Sequence, residues 1–171
     1  IRDILKEVEI NIRGGRRPLL HAEDVLRYKA KGLDVNEKAV VELFKKVRNY
    51  PGVDSVAMSH FALSSVASAP DAVEEISNIL GADSKGKWLS GQTGLETGSP
   101  RLVELNMKGK CKPFEPKDWP QVVINAFEIM AKNYWIPCAT LIIGFPGETD
   151  KDVDLTLDLL KELKHFKSLI V

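Results

Sequence analysis

Apolar positions along the chain switch repeatedly between two periods, and the switches divide it into strands and helices. Val40, Leu43, Phe44 and Val47 recur three and four residues apart, a spacing that gathers them on one face of a helix. Asp34 and Glu37 ahead of them form a capping-box pattern, and Pro51–Gly52 closes the segment. A second helix is predicted from Pro70, where a missing N–H is harmless in the first turn. Val73, Ile76, Ile79 and Leu80 make its apolar face, and Gly81 ends it. Ser99–Pro100 opens a short helix bearing Leu102, Val103 and Leu105. Asp118 is placed to cap a longer one bearing Trp119, Val123, Phe127 and Met130. The last helix, capped by Thr149 with Asp152, carries Val153, Leu157, Leu160 and Leu163.

Between these lie runs of strand length: Arg17–His21, Val53–Met58, Trp88–Glu96, Trp135–Gly144 and Lys167–Val171. Trp135–Gly144 is apolar enough to predict cover on both faces, and Lys167–Val171 also reads as a buried strand. Ile1–Gly14 fits either period, as a helix through Ile1, Leu5, Val8 and Ile12 or as a strand through Val8, Ile10 and Ile12. Strands alternating with helices imply the α/β class, with parallel strands and right-handed crossovers. A doubly wound sheet and an arc of a (β/α) barrel both fit. Either way, ligand chemistry belongs at the carboxyl ends of the strands, which picks out Glu23–Asp24, Ser59–His60, Gly94–Ser99 and Gly144–Thr149.

Composition narrows the function more than the fold. Of 171 residues, 24 are Lys or Arg and 24 are Asp or Glu, so no basic excess is available to grip nucleic acid through its phosphates. No apolar run reaches the ~20 residues of a membrane span. The amino end resembles neither a signal peptide nor a transit sequence, and a cytoplasmic protein is expected. Cys111 and Cys138 stand far apart, which supports neither a disulfide framework nor a zinc site. The chain lacks an initiating Met, opens in a helical pattern and closes inside a strand. It is therefore read as one truncated domain over 1–171.

Two loops carry candidate chemistry. In Gly144–Phe145–Pro146–Gly147–Glu148–Thr149 the glycines let backbone approach a ligand, and Glu148 stands beside a helix amino end whose dipole favours its charge. A plain turn with a Thr cap would look the same. In Gly94–Leu95–Glu96–Thr97–Gly98–Ser99–Pro100–Arg101, Glu96 falls at a strand end, placed to accept hydrogen bonds from vicinal hydroxyls such as a ribose. Ser99 there also makes an ordinary helix cap.

In this order, on consecutive strand ends, Gly-Leu-Glu-Thr-Gly-Ser-Pro-Arg-Leu and Leu-Ile-Ile-Gly-Phe-Pro-Gly-Glu-Thr resemble the radical S-adenosylmethionine superfamily. The likeness is to its methylthiotransferase-like or cobalamin-binding branches, and it is strongest over 88–171. It implies the later part of an incomplete (β/α) TIM-type barrel that shapes an S-adenosylmethionine pocket. Glu96 would meet the ribose, with Ser99 beside it, and Gly144 and Glu148 would line the adenine and ribose side. Glu23 or Asp24 would meet the methionyl amino group, by position only, since the common Gly-Gly-Glu form is absent. The parent would cleave the cofactor to a 5′-deoxyadenosyl radical that abstracts a substrate hydrogen. Such enzymes hold a 4Fe-4S cluster on three closely spaced cysteines, which this sequence lacks. The cluster segment is expected upstream of residue 1, and the fragment alone is expected to be inactive. Substrate, oligomeric state and any use of cobalamin stay open.

The remaining features are weaker. His60 alone among the histidines is placed to face a barrel mouth. Lys108, Lys110 and Lys112 form a basic turn, read as solvated rather than as an anion contact. The rival readings are a tRNA methylthiotransferase parent and a metal-free small-molecule-binding α/β domain.

Overall fold

The computed structural model describes all of residues 1–171. It alternates helices and strands as α1 (Arg2–Arg13), β1 (Leu19–Leu20), α2 (Glu37–Arg48), β2 (Ala57–Met58), α3 (Leu63–Ser68), α4 (Pro70–Leu80), β3 (Leu89–Glu96), α5 (Pro100–Asn106), α6 (Trp119–Lys132), β4 (Trp135–Leu141), α7 (Asp150–Leu163) and β5 (Leu169–Ile170). Short 3₁₀ turns lie at Val25–Arg27 and Pro116–Asp118. Every strand pair is parallel. β1 joins β2, and β3, β4 and β5 form a second sheet in that order. A single parallel bridge between His60 and Gln92 connects the two, so the strands follow one another in chain order.

Helices cover one face of this arrangement. Leu89, Thr93 and Leu95 of β3 are buried with Trp135, Pro137 and Ala139 of β4, against α3 and α6. The four apolar residues that defined α6 in the sequence, Trp119, Val123, Phe127 and Met130, are all essentially inaccessible. Trp135 stacks edge-on against Phe61, and its indole N–H donates to Ser77 at 2.7 Å. On the opposite face Ser90 and Gln92 are exposed, while Ile136, Cys138 and Thr140 are half-buried. They are not sunk into the core as the alternate residues of the same strands are. The double cover expected for β4 is therefore absent, and Ile142 and Ile143 beyond it are 44% and 90% exposed.

The other departures have local causes. Asn36, not Asp34, caps α2, accepting from the Ala39 N–H, because Lys31–Asp34 pairs into a tight turn around Gly32. Asp118 precedes α6 without a side-chain cap, its backbone already committed to a 3₁₀ turn. Leu105 of α5 is exposed, and Leu169 of β5 is exposed at the sheet edge rather than buried. α7 is rotated from its expected setting. Asp152, Leu159 and Leu163 are buried while Val153 and Leu157 face out. Two stripes compete on that helix, and the inward one is masked in sequence by two polar members, Asp152 and Thr156. Ile1–Gly14 resolves as a helix.

Candidate functional site

The two motif loops meet at the carboxyl ends of β3 and β4, and one buried carboxylate joins them. Asp152, in the first turn of α7, is 3% exposed. It closes a capping box with Thr149, accepting from that residue's N–H at 2.9 Å and from its hydroxyl. The Ser99 hydroxyl donates to the same carboxylate and itself accepts from the Leu102 N–H, capping α5. The Arg101 guanidinium pairs with Asp152 and donates to the Gly147 carbonyl at 2.7 Å. Charge-assisted bonds of this kind favour the ionised acid. Arg101 first, then Ser99 and Thr149, hold the Asp152 carboxyl well below the usual carboxylate range. Gly98 completes the join. A Cβ there would stand 2.5 Å from the Leu155 carbonyl oxygen and 2.7 Å from the Thr156 Cα, so only glycine lets α7 approach this closely.

Glu96 is arranged differently. It adopts a left-handed backbone, φ 66°, where the pairing with β4 slips between Gly94 and Glu96. Its carbonyl accepts from the Ile142 N–H, and its carboxylate folds back over Gly94 on the uncovered face. There Lys110 Nζ donates to Oε1 at 3.2 Å and the Thr140 hydroxyl to Oε2 at 3.3 Å. Glu96 and Lys110 keep 15% and 22% side-chain exposure, so the pair borders solvent. Glu148 is half-buried and accepts from the Gly144 N–H at 2.8 Å, across a turn that Gly144 and Gly147 make at φ 86° and 77°. It also lines an apolar cavity of about 130 Å³ with Leu141, Ile142, Ile143, Val153 and Leu157.

At the end of β1 the adjacent carboxylates diverge. Asp24 accepts from the Leu26 N–H and the Ser65 hydroxyl and pairs with Arg27 at 3.2 Å. Glu23 is exposed. Ring edges of His21 and His60 meet beside them, and His60 Nδ1 is buried without a hydrogen-bond partner.

Relatives over almost the whole chain are known. The ribosomal protein uS12 methylthiotransferases RimO of Thermosipho africanus and Thermosipho melanesiensis are 28% and 31% identical over 169 and 170 residues, 96% of this chain in each case. A probable threonylcarbamoyladenosine tRNA methylthiotransferase of Methanocaldococcus jannaschii is 28% identical over 163 residues, 93% of this chain. These relatives are methylthiotransferases. Methylthiotransferases are radical S-adenosylmethionine proteins, the superfamily that the two loops resemble. The chain spans only about 35% of the length of each RimO and 34% of the third. No family model matches it.

The donor set for a three-thiolate cluster is missing from these residues. The chain has two cysteines. Cys111 is wholly buried, its thiol pushed up by that burial, and Cys138 lies within β4. Of the residues singled out in the sequence, Glu96, Gly144 and Glu148 border open space, Glu23 does so near β1, and Ser99 and Asp24 are committed to the chain itself. Lys110, read as part of a solvated basic turn, instead turns in to pair with Glu96, and Asp152, Arg101, Thr140 and Arg27 were missed. Asp152 showed only as a helix cap, and the partners of the others come from distant elements. No helix is long and apolar enough to cross a membrane.

Proposed function

We propose that these residues shape the S-adenosylmethionine site of a radical methylthiotransferase-like enzyme, built on the later part of an incomplete (β/α) barrel. Parallel strands that follow chain order, with helices on one face only, support an arc of barrel over a doubly wound sheet, whose order must reverse. The observation that carries the reading is the Glu96 carboxylate, which stands at a strand end on the uncovered face with acceptor capacity left over. That suits the two hydroxyls of a ribose. The apolar cavity beside Glu148 suits a purine ring, which needs flat apolar walls and a polar group at one edge. Glu23, rather than the engaged Asp24, is the carboxylate left for the methionyl ammonium.

S-adenosylmethionine would supply the adenosyl group for hydrogen abstraction, and this chain's part is to orient it and exclude water. The cluster that delivers the electron has no ligand set among these residues, so the isolated chain binds the cofactor without turning it over. The named relatives act on a ribosomal protein and on a tRNA. The balanced charge of this segment suits a small-molecule site, with recognition of a polyanion left to other residues. A cytoplasmic setting goes with that reading.

Calorimetric titration with S-adenosylmethionine tests it. Glu96→Ala and Glu148→Ala are each expected to weaken binding at least ~10-fold, equal to about 1.4 kcal/mol. Equal affinity in wild type and both variants would remove the cofactor reading. It would leave a metal-free binding domain for some other small molecule, which the missing thiolate set already favours as the second reading.

A further inference from the structure

The sequence places Lys108, Lys110 and Lys112 in one basic turn after α5, but only one of them turns inward. Lys108 pairs with Glu104 and Lys112 with Glu115 at the exposed surface, whereas Lys110 reaches Glu96 with 22% side-chain exposure. Its backbone is fixed from both sides. The Lys110 N–H donates to the Met107 carbonyl at 2.8 Å, and the Lys110 carbonyl accepts from the Ser64 hydroxyl at 2.9 Å. Two residues on, the Lys112 carbonyl accepts from Arg27 at 2.9 Å. Arg27 also donates to Ser64 and Ser65, and Asp24 holds it by an ion pair with 11% and 19% side-chain exposure. Cys111 is buried between the two anchored carbonyls.

From these contacts we infer that Lys110 is a positioning residue for Glu96, presented by a strap that Asp24 and Arg27 tie to the end of β1. The inference deepens the cofactor reading and rests on it for the ligand. Lys110 and Thr140 hold the Glu96 carboxylate over Gly94, where a Cβ would stand 2.6 Å from Lys110 Nζ. Without Lys110 the carboxylate keeps a single neutral donor and swings towards solvent, so a ligand must bear the cost of ordering it. Asp24, a cofactor candidate by position, thus acts on the site at a distance through Arg27.

The test uses the 171-residue chain labelled with ¹³C in its glutamate carboxylates, the Glu96 signal being the one lost in Glu96→Gln. Lys110→Met is expected to move that signal, and Lys110→Arg to return it near its wild-type position. Asp24→Asn is expected to move it in the same direction by a smaller amount. An unmoved signal in Lys110→Met overturns the positioning role. A signal moved by Lys110→Met and indifferent to Asp24→Asn overturns the anchor. In a parallel titration with S-adenosylmethionine, Lys110→Met is expected to bind ~10-fold more weakly and Lys110→Arg nearly as well as wild type. If Glu96→Gln leaves that affinity unchanged, the cofactor reading fails, while the carboxylate signal still decides what Lys110 does.

Discussion

Gly94 and Gly98 belong to one short motif and stand four positions apart, yet they meet different neighbours. A Cβ on Gly98 would strike the backbone of α7, at the Leu155 carbonyl and the Thr156 Cα. A Cβ on Gly94 would meet the ends of two long side chains, Glu96 and Lys110. Thr97, Gly98 and Ser99 in the second half of the motif are buried, and Asp152 engages both the Ser99 hydroxyl and the half-exposed Arg101 guanidinium. In the first half Gly94 and Glu96 face the uncovered side of the sheet, with Leu95 between them turned into the core. One stretch of sequence therefore carries a structural seam and a candidate ligand contact side by side, and only the neighbours tell them apart.

Gly98→Ala is the harshest way to probe the seam. Backbone cannot step aside as a side chain does, so α7 must shift, and overpacking of this kind costs ~2–3 kcal/mol. A urea unfolding curve should show the midpoint fall with little change in slope. A stability within ~0.5 kcal/mol of wild type would mean that α7 does not rest on Gly98, and the contrast with Gly94 would disappear.

Asp152 gives the same seam a pH signature. Its carboxyl is held below the usual range by Arg101, Ser99 and Thr149, so the folded state binds the proton more weakly than the unfolded chain. A depressed carboxylate contributes stability that is complete above its unfolded value, about 3.9. That contribution is lost as pH falls through the folded value. The wild type should hold its urea midpoint from pH 7 to about 5 and lose stability progressively below that. Asp152→Asn, which cannot ionise, should be less stable at pH 7 and flatter across the acid range. Parallel curves for the two proteins would show that other carboxylates govern acid sensitivity.

Much of this was legible beforehand. The apolar faces of α2, α4 and α6, the span of β3 and the Thr149–Asp152 cap follow from periods and cap residues, which are local in sequence. What was not legible is what depends on contacts across long sequence separations. α3, with its small, uncharged Leu-Ser-Ser-Val-Ala-Ser, has too few residues to show a period, yet its Ser64 and Ser65 brace the strap. The inward face of α7 was hidden because it includes two polar residues, the buried Asp152 and the half-buried Thr156. Sequence position marked Asp24, Glu96 and Ser99 alike as polar residues near strand ends. Only their partners separate them. Ser99 is taken up by Asp152 and Leu102, and Asp24 by Leu26, Ser65 and Arg27, whereas Glu96 has Lys110 and Thr140 and acceptor capacity left over.

Ser99→Ala sharpens that separation at a smaller scale. Removing the hydroxyl costs α5 its cap and Asp152 one donor, a loss of about 1 kcal/mol by analogy with other serine caps. Affinity for S-adenosylmethionine should change less than in Glu96→Ala. A larger loss of affinity than of stability would place Ser99 with the ligand contacts after all.

Gly94→Ala has the smallest expected effect on folding and bears most directly on the open half of the motif. The new methyl group displaces only the Glu96 carboxylate and the Lys110 ammonium, both free to swing towards solvent. Stability should therefore stay within ~0.5 kcal/mol of wild type. The carboxylate can no longer lie over residue 94 between Lys110 and Thr140, so S-adenosylmethionine should bind ~10-fold more weakly, as it should when Lys110 is lost. Stability and affinity then respond to opposite glycines, Gly98→Ala lowering the first and Gly94→Ala the second. If Gly94→Ala instead left affinity intact, the resting position of Glu96 would be irrelevant to the ligand. The carboxylate would then have to rearrange on binding whatever holds it beforehand.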